Sequence, residues 1–222
     1  MTADGRARRA ERVVVATSNA AKLEELAVLL PASLQLVSLS DLALESPDET
    51  GQTFLDNAIL KAEHASMMSE LPAIADDSGL EVDALGGAPG VYSARYAGQP
   101  ATDDENNRKL VRELALIPGA ERTARFVCAV AFRAPDGFLW TTTGAVSGAI
   151  VDNPRGSSGF GYDPHFEIDD RDAEAFRGRT MAELSLDEKS LISHRSRAYR
   201  QLLNLALSAP TNHPALKLLL VT

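Results

Sequence analysis

The 222-residue sequence predicts an α/β fold, a mixed sheet flanked by helices. Three observations predict it. Short apolar runs alternate with helical patterns through the first part of the chain, as strand–helix–strand units do. Two longer strand patterns then follow with Pro135-Asp136-Gly137 between them, a turn signal that makes them an antiparallel hairpin. Polar, glycine-rich loops lie scattered among these elements, which suits a cleft between two lobes.

The elements follow in order. Residues 1–12 are basic but hold no apolar stretch or cleavage site, so they are expected to be a disordered lead-in. Val13-Val14-Val15-Ala16 is β-branched and apolar, a buried strand. Ser18 or Asn19 caps the next helix, in which Leu23, Leu26, Leu29 and Leu30 recur until Pro31 stops the run. Leu34 to Leu39 is a second strand. After the acidic loop from Ser46 to Gly51, a helix from about Thr53 to Ser69 places Phe54, Ala58, Ala62 and Ala65 on one stripe. Pro72 to Ala75 is a short strand expected to end in the loop Asp76-Asp77-Ser78-Gly79. Asp103 to Leu116 is a helix, and Thr123 to Ala134 and Phe138 to Ile150 are the hairpin strands. Ser185 with Glu188 makes a capping box for one last long helix, with Tyr199, Leu202, Leu203 and Ala206 inward. The expected organisation is a domain over residues 13–207 with tails at 1–12 and 208–222.

Composition bounds the function. Acidic residues outnumber basic ones 31 to 22, a formal charge of −9. Nucleic-acid binders usually carry a basic face, so that partner is disfavoured. A small anion held by a few lysines and a metal ion is not. The single cysteine, Cys128, allows no internal disulfide and sits in an apolar run, a buried core position. No apolar run approaches the ~18 residues of a membrane span. A cytoplasmic protein without membrane contact is the expectation.

Four segments can carry chemistry. Thr17-Ser18-Asn19-Ala20-Ala21-Lys22 stands between strand and helix, where free N–H groups and Lys22 offer an anion site. The same residues also read as an ordinary capped helix. The carboxylates of Asp76-Asp77 and of Asp48-Glu49 are the second. Mg²⁺ often takes one or two carboxylates plus substrate phosphates, although Asp48-Glu49 alone reads as solvated surface acid. The third is Gly159-Phe160-Gly161-Tyr162-Asp163-Pro164, where glycines admit a ligand and Phe160 can stack on a base. The alternative is a tight turn with a core aromatic. The fourth is Lys189, His194 and Arg195, donors to carbonyl oxygens or simply a solvated helix face.

Together the segments resemble the inosine/xanthosine triphosphate pyrophosphatase family. The resemblance is carried by ATSNAAKLEEL from Ala16, DETGQTFLDNAILKAEHA from Asp48, PAIADDSGLEVDALGGAPGVYSARYAG from Pro72, GFGYDPHF from Gly159 and MAELSLDEKSLISHR from Met181. It implies an elongated central mixed sheet, two lobes around a substrate cleft, and a homodimer. It also implies Mg²⁺-dependent cleavage of ITP, dITP or XTP into the nucleoside monophosphate and pyrophosphate. By position, Thr17 to Lys22 and Lys61 would hold phosphates. Asp77 would be the catalytic carboxylate, Ser78 would contact substrate, and Asp77 with Asp48 or Glu49 would place the metal. Phe160, Gly161, Tyr162, Asp163, Lys189, His194 and Arg195 would form the base end. Rival readings are a pyrophosphatase for modified pyrimidine or methylated nucleotides and a non-hydrolytic nucleotide sensor.

Overall fold

The structure is a computed structural model that describes residues 12–220 apart from 18, 33, 120 and 209–212. Six strands form one mixed sheet: β1 (Arg12–Val15), β2 (Gln35–Ser38), β3 (Ala73–Val82), β4 (Thr123–Arg133), β5 (Leu139–Ile150) and β6 (Phe166–Ile168), in the order β2-β1-β3-β4-β5-β6. β1 runs parallel to both β2 and β3, with Val14 opposite Val37 and Ala73, and β6 is antiparallel to β5. Arg12 opens β1 and is no part of a lead-in. The first eleven residues lie outside the described ones.

The helices are α1 (Ala20–Leu29), α2 (Phe54–Ser69), α3 (Asp103–Ala115), α4 (Leu186–Ile192), α5 (His194–Ser208) and α6 (Pro214–Lys217). Their starts are written in the sequence. Asn19 caps α1 by accepting from the Lys22 N–H, and Thr53 and Thr102 form capping boxes with Asp56 and Glu105 for α2 and α3. The expected box of Ser185 and Glu188 starts α4.

Two expectations are corrected. Asp76 to Gly79 is not a loop, because β3 runs straight through it to Val82. Asp, Ser and Gly are poor strand formers, yet ion pairs to the two aspartates, described below, override that preference. The last long helix is two, α4 and α5. They break at Ser193, whose backbone is extended and whose hydroxyl accepts the Ser196 N–H at 3.1 Å.

The chain divides into two compact units. One comprises residues 1–77, 129–143 and 198–222, the other 78–128 and 144–197. The first is built on Val13, Val14, Val37, Ile74, Val130, Phe132, Tyr199 and Leu202, with the small stripe Ala58, Ala62 and Ala65 of α2 fully buried. Leu216 and Leu219 near the C-terminus are buried, and His213 stacks on Phe138 with ring centroids 4.0 Å apart. The second unit has its own core, which includes Leu80, Leu110, Phe126, Tyr162, Phe166 and Met181. Cys128 is buried, as expected.

Candidate functional site

The first unit holds a cluster of carboxylates and lysines around β3. Successive strand side chains point to opposite faces, so Asp76 and Asp77 find different partners. Asp76 meets the Lys22 ammonium of α1 at 3.1 Å. Asp77 faces α2, where Lys61 Nζ donates to Oδ1 at 3.1 Å and Asn57 Nδ2 to Oδ2 at 3.0 Å. Lys61 also donates to Glu49 Oε1 at 2.8 Å. Asn57 is fully buried, and its Oδ1 accepts the Gly51 N–H at 2.7 Å. Asp76 and Asp77 are only 1% and 6% exposed.

Three carboxylates (Glu49, Asp76, Asp77) face two ammonium groups (Lys22, Lys61), so these five side chains among the described residues carry a net negative charge between them. Both central groups have a raised proton affinity, for different reasons. Burial pushes the Asp77 carboxyl above its usual range and Glu49 adds to the effect, outweighing Lys61, Lys22 and the Asn57 bond. Burial alone would lower Lys61, but Asp77, Glu49 and Asp76 together hold its ammonium above the usual lysine value. A carboxylate raised in this way is a stronger base than an exposed one. The cluster also suits a further cation. Mg²⁺ needs only one or two protein carboxylates when phosphates and waters complete its shell, and Glu49 and Asp77 are bridged by a single lysine. Among the described residues no three His, Cys, Asp or Glu side chains converge on a metal position.

The second unit holds a cluster built on Phe160. The turn that carries it is drawn tight by Asp163, whose Oδ2 accepts the Phe160 N–H at 3.0 Å and Lys189 Nζ at 2.7 Å. Gly159 has φ +77°, and a Cβ there would lie 2.1 Å from Asp163 Oδ2, so both backbone angle and space require glycine. Lys189 Nζ and Arg195 Cζ lie 4.9 and 5.9 Å from the Phe160 ring centroid, within cation–π range. Arg195 Nη2 donates to Ser78 Oγ at 2.8 Å, and His194 stacks on Phe126. α3 fixes the next residue of the turn, since Gly161 N–H donates to Asp103 Oδ2 at 2.6 Å and Asn107 Nδ2 to Gly161 O at 2.8 Å.

The expected site residues thus fall into two groups. Lys22, Lys61, Glu49 and Asp77 come together in the first unit. Thr17, Asn19, Ala20 and Ala21 form the turn into α1, with Thr17 Oγ1 accepting the Asn19 N–H. Ser18 lies outside the described residues. Asp48 is exposed and lines a surface depression with Asp56, Glu63 and Met67, so of the two loop acids Glu49 reaches Lys61. Ser78, Phe160, Asp163, Lys189, His194 and Arg195 belong to the second unit. The solvated-face reading of the last three is wrong, because they are 4%, 6% and 1% exposed. Tyr162 is a core residue whose hydroxyl donates to Ser93 O. Sequence reasoning missed Asn57, Asp103 and Asn107. Asn57 had a signal, a polar residue on the buried stripe of α2, four before Lys61. Nothing local marked Asp103 or Asn107.

The Ham1 family model matches residues 13–205, a span that contains every residue of both clusters. A Shigella flexneri protein named dITP/XTP pyrophosphatase is 49% identical over 197 residues, covering 87% of this chain and 97% of that one. One of the same name from Thermus thermophilus is 46% identical over 211 residues, covering 95% and 99%. The solved structure of a HAM1 protein from Coxiella burnetii matches with a TM-score of 0.80 at 39% identity, over 89% of this chain and 99% of that one. On the length of the family match and these identities, the chain belongs to the Ham1 family.

Proposed function

We propose that the protein hydrolyses deaminated purine nucleoside triphosphates, ITP, dITP and XTP, to the nucleoside monophosphate and pyrophosphate. The observation that carries this reading is Asp77, a buried carboxylate made more basic by its surroundings and held by Lys61 and Asn57. The names of the relatives support the substrate class.

Asp77 orients and deprotonates the attacking water. Lys22 and Lys61 offset the charge that gathers on the departing pyrophosphate, the electrostatic part of the catalysis. The turn from Thr17 to Lys22 supplies N–H donors to the phosphates. Glu49 and Asp77 would hold Mg²⁺, which neutralises phosphate charge when bound; Glu49 takes this role over Asp48 because only Glu49 reaches Lys61. In the second unit Phe160 offers a ring to the purine, and Arg195, His194 and Lys189 supply donors to its carbonyl. Adenine presents an amino group at C6 instead. Donors would then meet a donor, and buried unpaired donors can discriminate by up to roughly 10⁴-fold. A cytosolic homodimer is the assembly we propose, on the family resemblance. No helix among the described residues is long and apolar enough to cross a membrane.

A nucleotide panel with product identification tests the reading. Pyrophosphate should leave ITP and XTP much faster than ATP or GTP. Equal rates on all four refute the selectivity, and stepwise phosphate release refutes the bond assignment. Binding of ITP without turnover would make the protein a sensor.

A further inference from the structure

We infer that Asn57 is a positioning residue that fixes the Asp77 carboxylate and ties it to the backbone of the Glu49 loop. The inference deepens the hydrolase reading above and rests on it.

Three observations carry it. Asn57 is fully buried and both ends of its amide are engaged, Nδ2 with Asp77 Oδ2 at 3.0 Å and Oδ1 with the Gly51 N–H at 2.7 Å. A residue that must donate to a carboxylate and accept from an N–H on a short stem is an asparagine. Aspartate would repel Asp77, and glutamine would reach one carbon too far. Gly51 is shaped for the contact. A Cβ there would lie 2.6 Å from Asn57 Oδ1, 2.7 Å from Asp56 Cβ and 2.9 Å from Asn57 N, so any side chain pushes the loop off the amide. Finally, Lys61 repeats the same connection one helical turn later, joining Asp77 Oδ1 to the Glu49 carboxylate.

α2 therefore holds both Asp77 oxygens and reaches back to one loop twice. The two arms differ in kind. The lysine arm is charged, so a cation held by Glu49 and Asp77 would compete with it. The asparagine arm is neutral and indifferent to that competition. It keeps Asp77 aimed while the charges around it change. Misplacement of a reacting group by ~1 Å costs on the order of 10²-fold in rate.

The test compares Asn57→Ala, Gly51→Ala and the double variant with wild type, using ITP and Mg²⁺, with kcat expressed per folded molecule and Tm measured separately. Each single variant should lower kcat about 10- to 100-fold with KM within about 3-fold. The double variant should be no slower than the worse single one, because both act through the Asn57 amide. Gly51→Ala keeps the test alive if Asn57→Ala does not fold. Unchanged kcat per folded molecule in either variant overturns the proposal, as does a double variant whose loss is the product of the single losses. Wild-type turnover on the nucleotide panel separates failure of the hydrolase reading from failure of this one. The geometry has its own readout, since the Asn57 side-chain amide protons should be slow to exchange in wild type and fast in Gly51→Ala. Fast exchange in wild type overturns it too.

Discussion

The buried pair of Lys189 and Asp163 allows stability and chemistry to be pulled apart. The two side chains are 6% and 4% exposed and their charged atoms lie 2.7 Å apart. Asp163→Asn leaves the Lys189 ammonium buried without this carboxylate, while the amide oxygen can still accept the Phe160 N–H. Breaking a buried pair from one side costs about 3–5 kcal/mol. At roughly 2–4 °C per kcal/mol for a chain of this size, Tm should fall by about 6–20 °C. Lys189→Met should cost a similar amount by taking that ammonium from Asp163. The double variant Asp163→Asn/Lys189→Met removes both charges at little change in volume, and should recover more than half of the single losses. Turnover should not recover with it. A donor to the purine carbonyl is worth about 1.5–3 kcal/mol when charged, so kcat/KM for ITP should stay roughly 10- to 150-fold down in every variant that lacks Lys189. Thermal unfolding by circular dichroism and pyrophosphate release on the same samples read the two effects. A double variant as unstable as the sum of the single ones refutes the buried-pair reasoning. Recovery of kcat/KM along with Tm makes Lys189 structural and refutes its role at the base.

Three other perturbations have defined outcomes. Asp77→Asn should cut turnover by about 10²- to 10⁴-fold and lower Tm by less than Asp163→Asn does. It takes one countercharge from the buried Lys61, which keeps Glu49. The Asp77 carboxyl is raised in the folded state, so its ionisation costs the fold stability as pH rises through that value, and the neutral amide avoids that cost; a drop in Tm as large as that of Asp163→Asn contradicts this. Asn107→Ala removes one bond to Gly161 O, worth ~1 kcal/mol, and should raise KM for ITP about 5-fold while leaving kcat alone. Asn106→Ala, whose amide bonds Ala94 and Ala97 instead, is the control that should change stability and not KM. Glu188 is held down to about 2 by its fork with Arg179 and by the Ser185 N–H. Its depressed value stabilises the fold above the ordinary 4.5 and the benefit fades as pH falls toward 2. Arg179→Ala should therefore unfold more easily than wild type at neutral pH and match it near pH 2. A carboxyl titration of Glu188 by NMR that is the same in both proteins rules this out.

Much of the fold was legible because its signals are local. Helix starts were marked by Asn19 and by Ser185 with Glu188, the hairpin by Pro135-Asp136-Gly137, and the inner stripe of α2 by Phe54, Ala58, Ala62 and Ala65. What misled was local propensity where distant charges decide. Asp76-Asp77-Ser78-Gly79 looks like a loop to any rule that scores residues one at a time. It is strand because Lys22, more than fifty residues earlier, and Lys61 supply the countercharge that lets two aspartates be buried there. Lys189, His194 and Arg195 looked like a solvated face for the same reason, since nothing near them in sequence announces Asp163 or Phe126. Asp103 and Asn107 were invisible because they act on Gly161, more than fifty residues away.

The two clusters differ in charge, and on the proposed reading this is how an acidic protein takes a polyanion. The first, with Glu49, Asp76 and Asp77 against Lys22 and Lys61, is short of positive charge. A triphosphate would add to that deficit unless a cation came with it, so binding of nucleotide and of cation should each favour the other there. The second sets Lys189, paired with Asp163, and Arg195 beside the Phe160 ring, and on the proposed reading the base with its carbonyl oxygens lies there. The chain passes directly from the first set to the second at the Asp77–Ser78 peptide bond inside β3. In a strand, Asp77 and Ser78 point to opposite faces, so each is held by the residues of its own unit, Asp77 by Lys61 and Asn57 and Ser78 by Arg195.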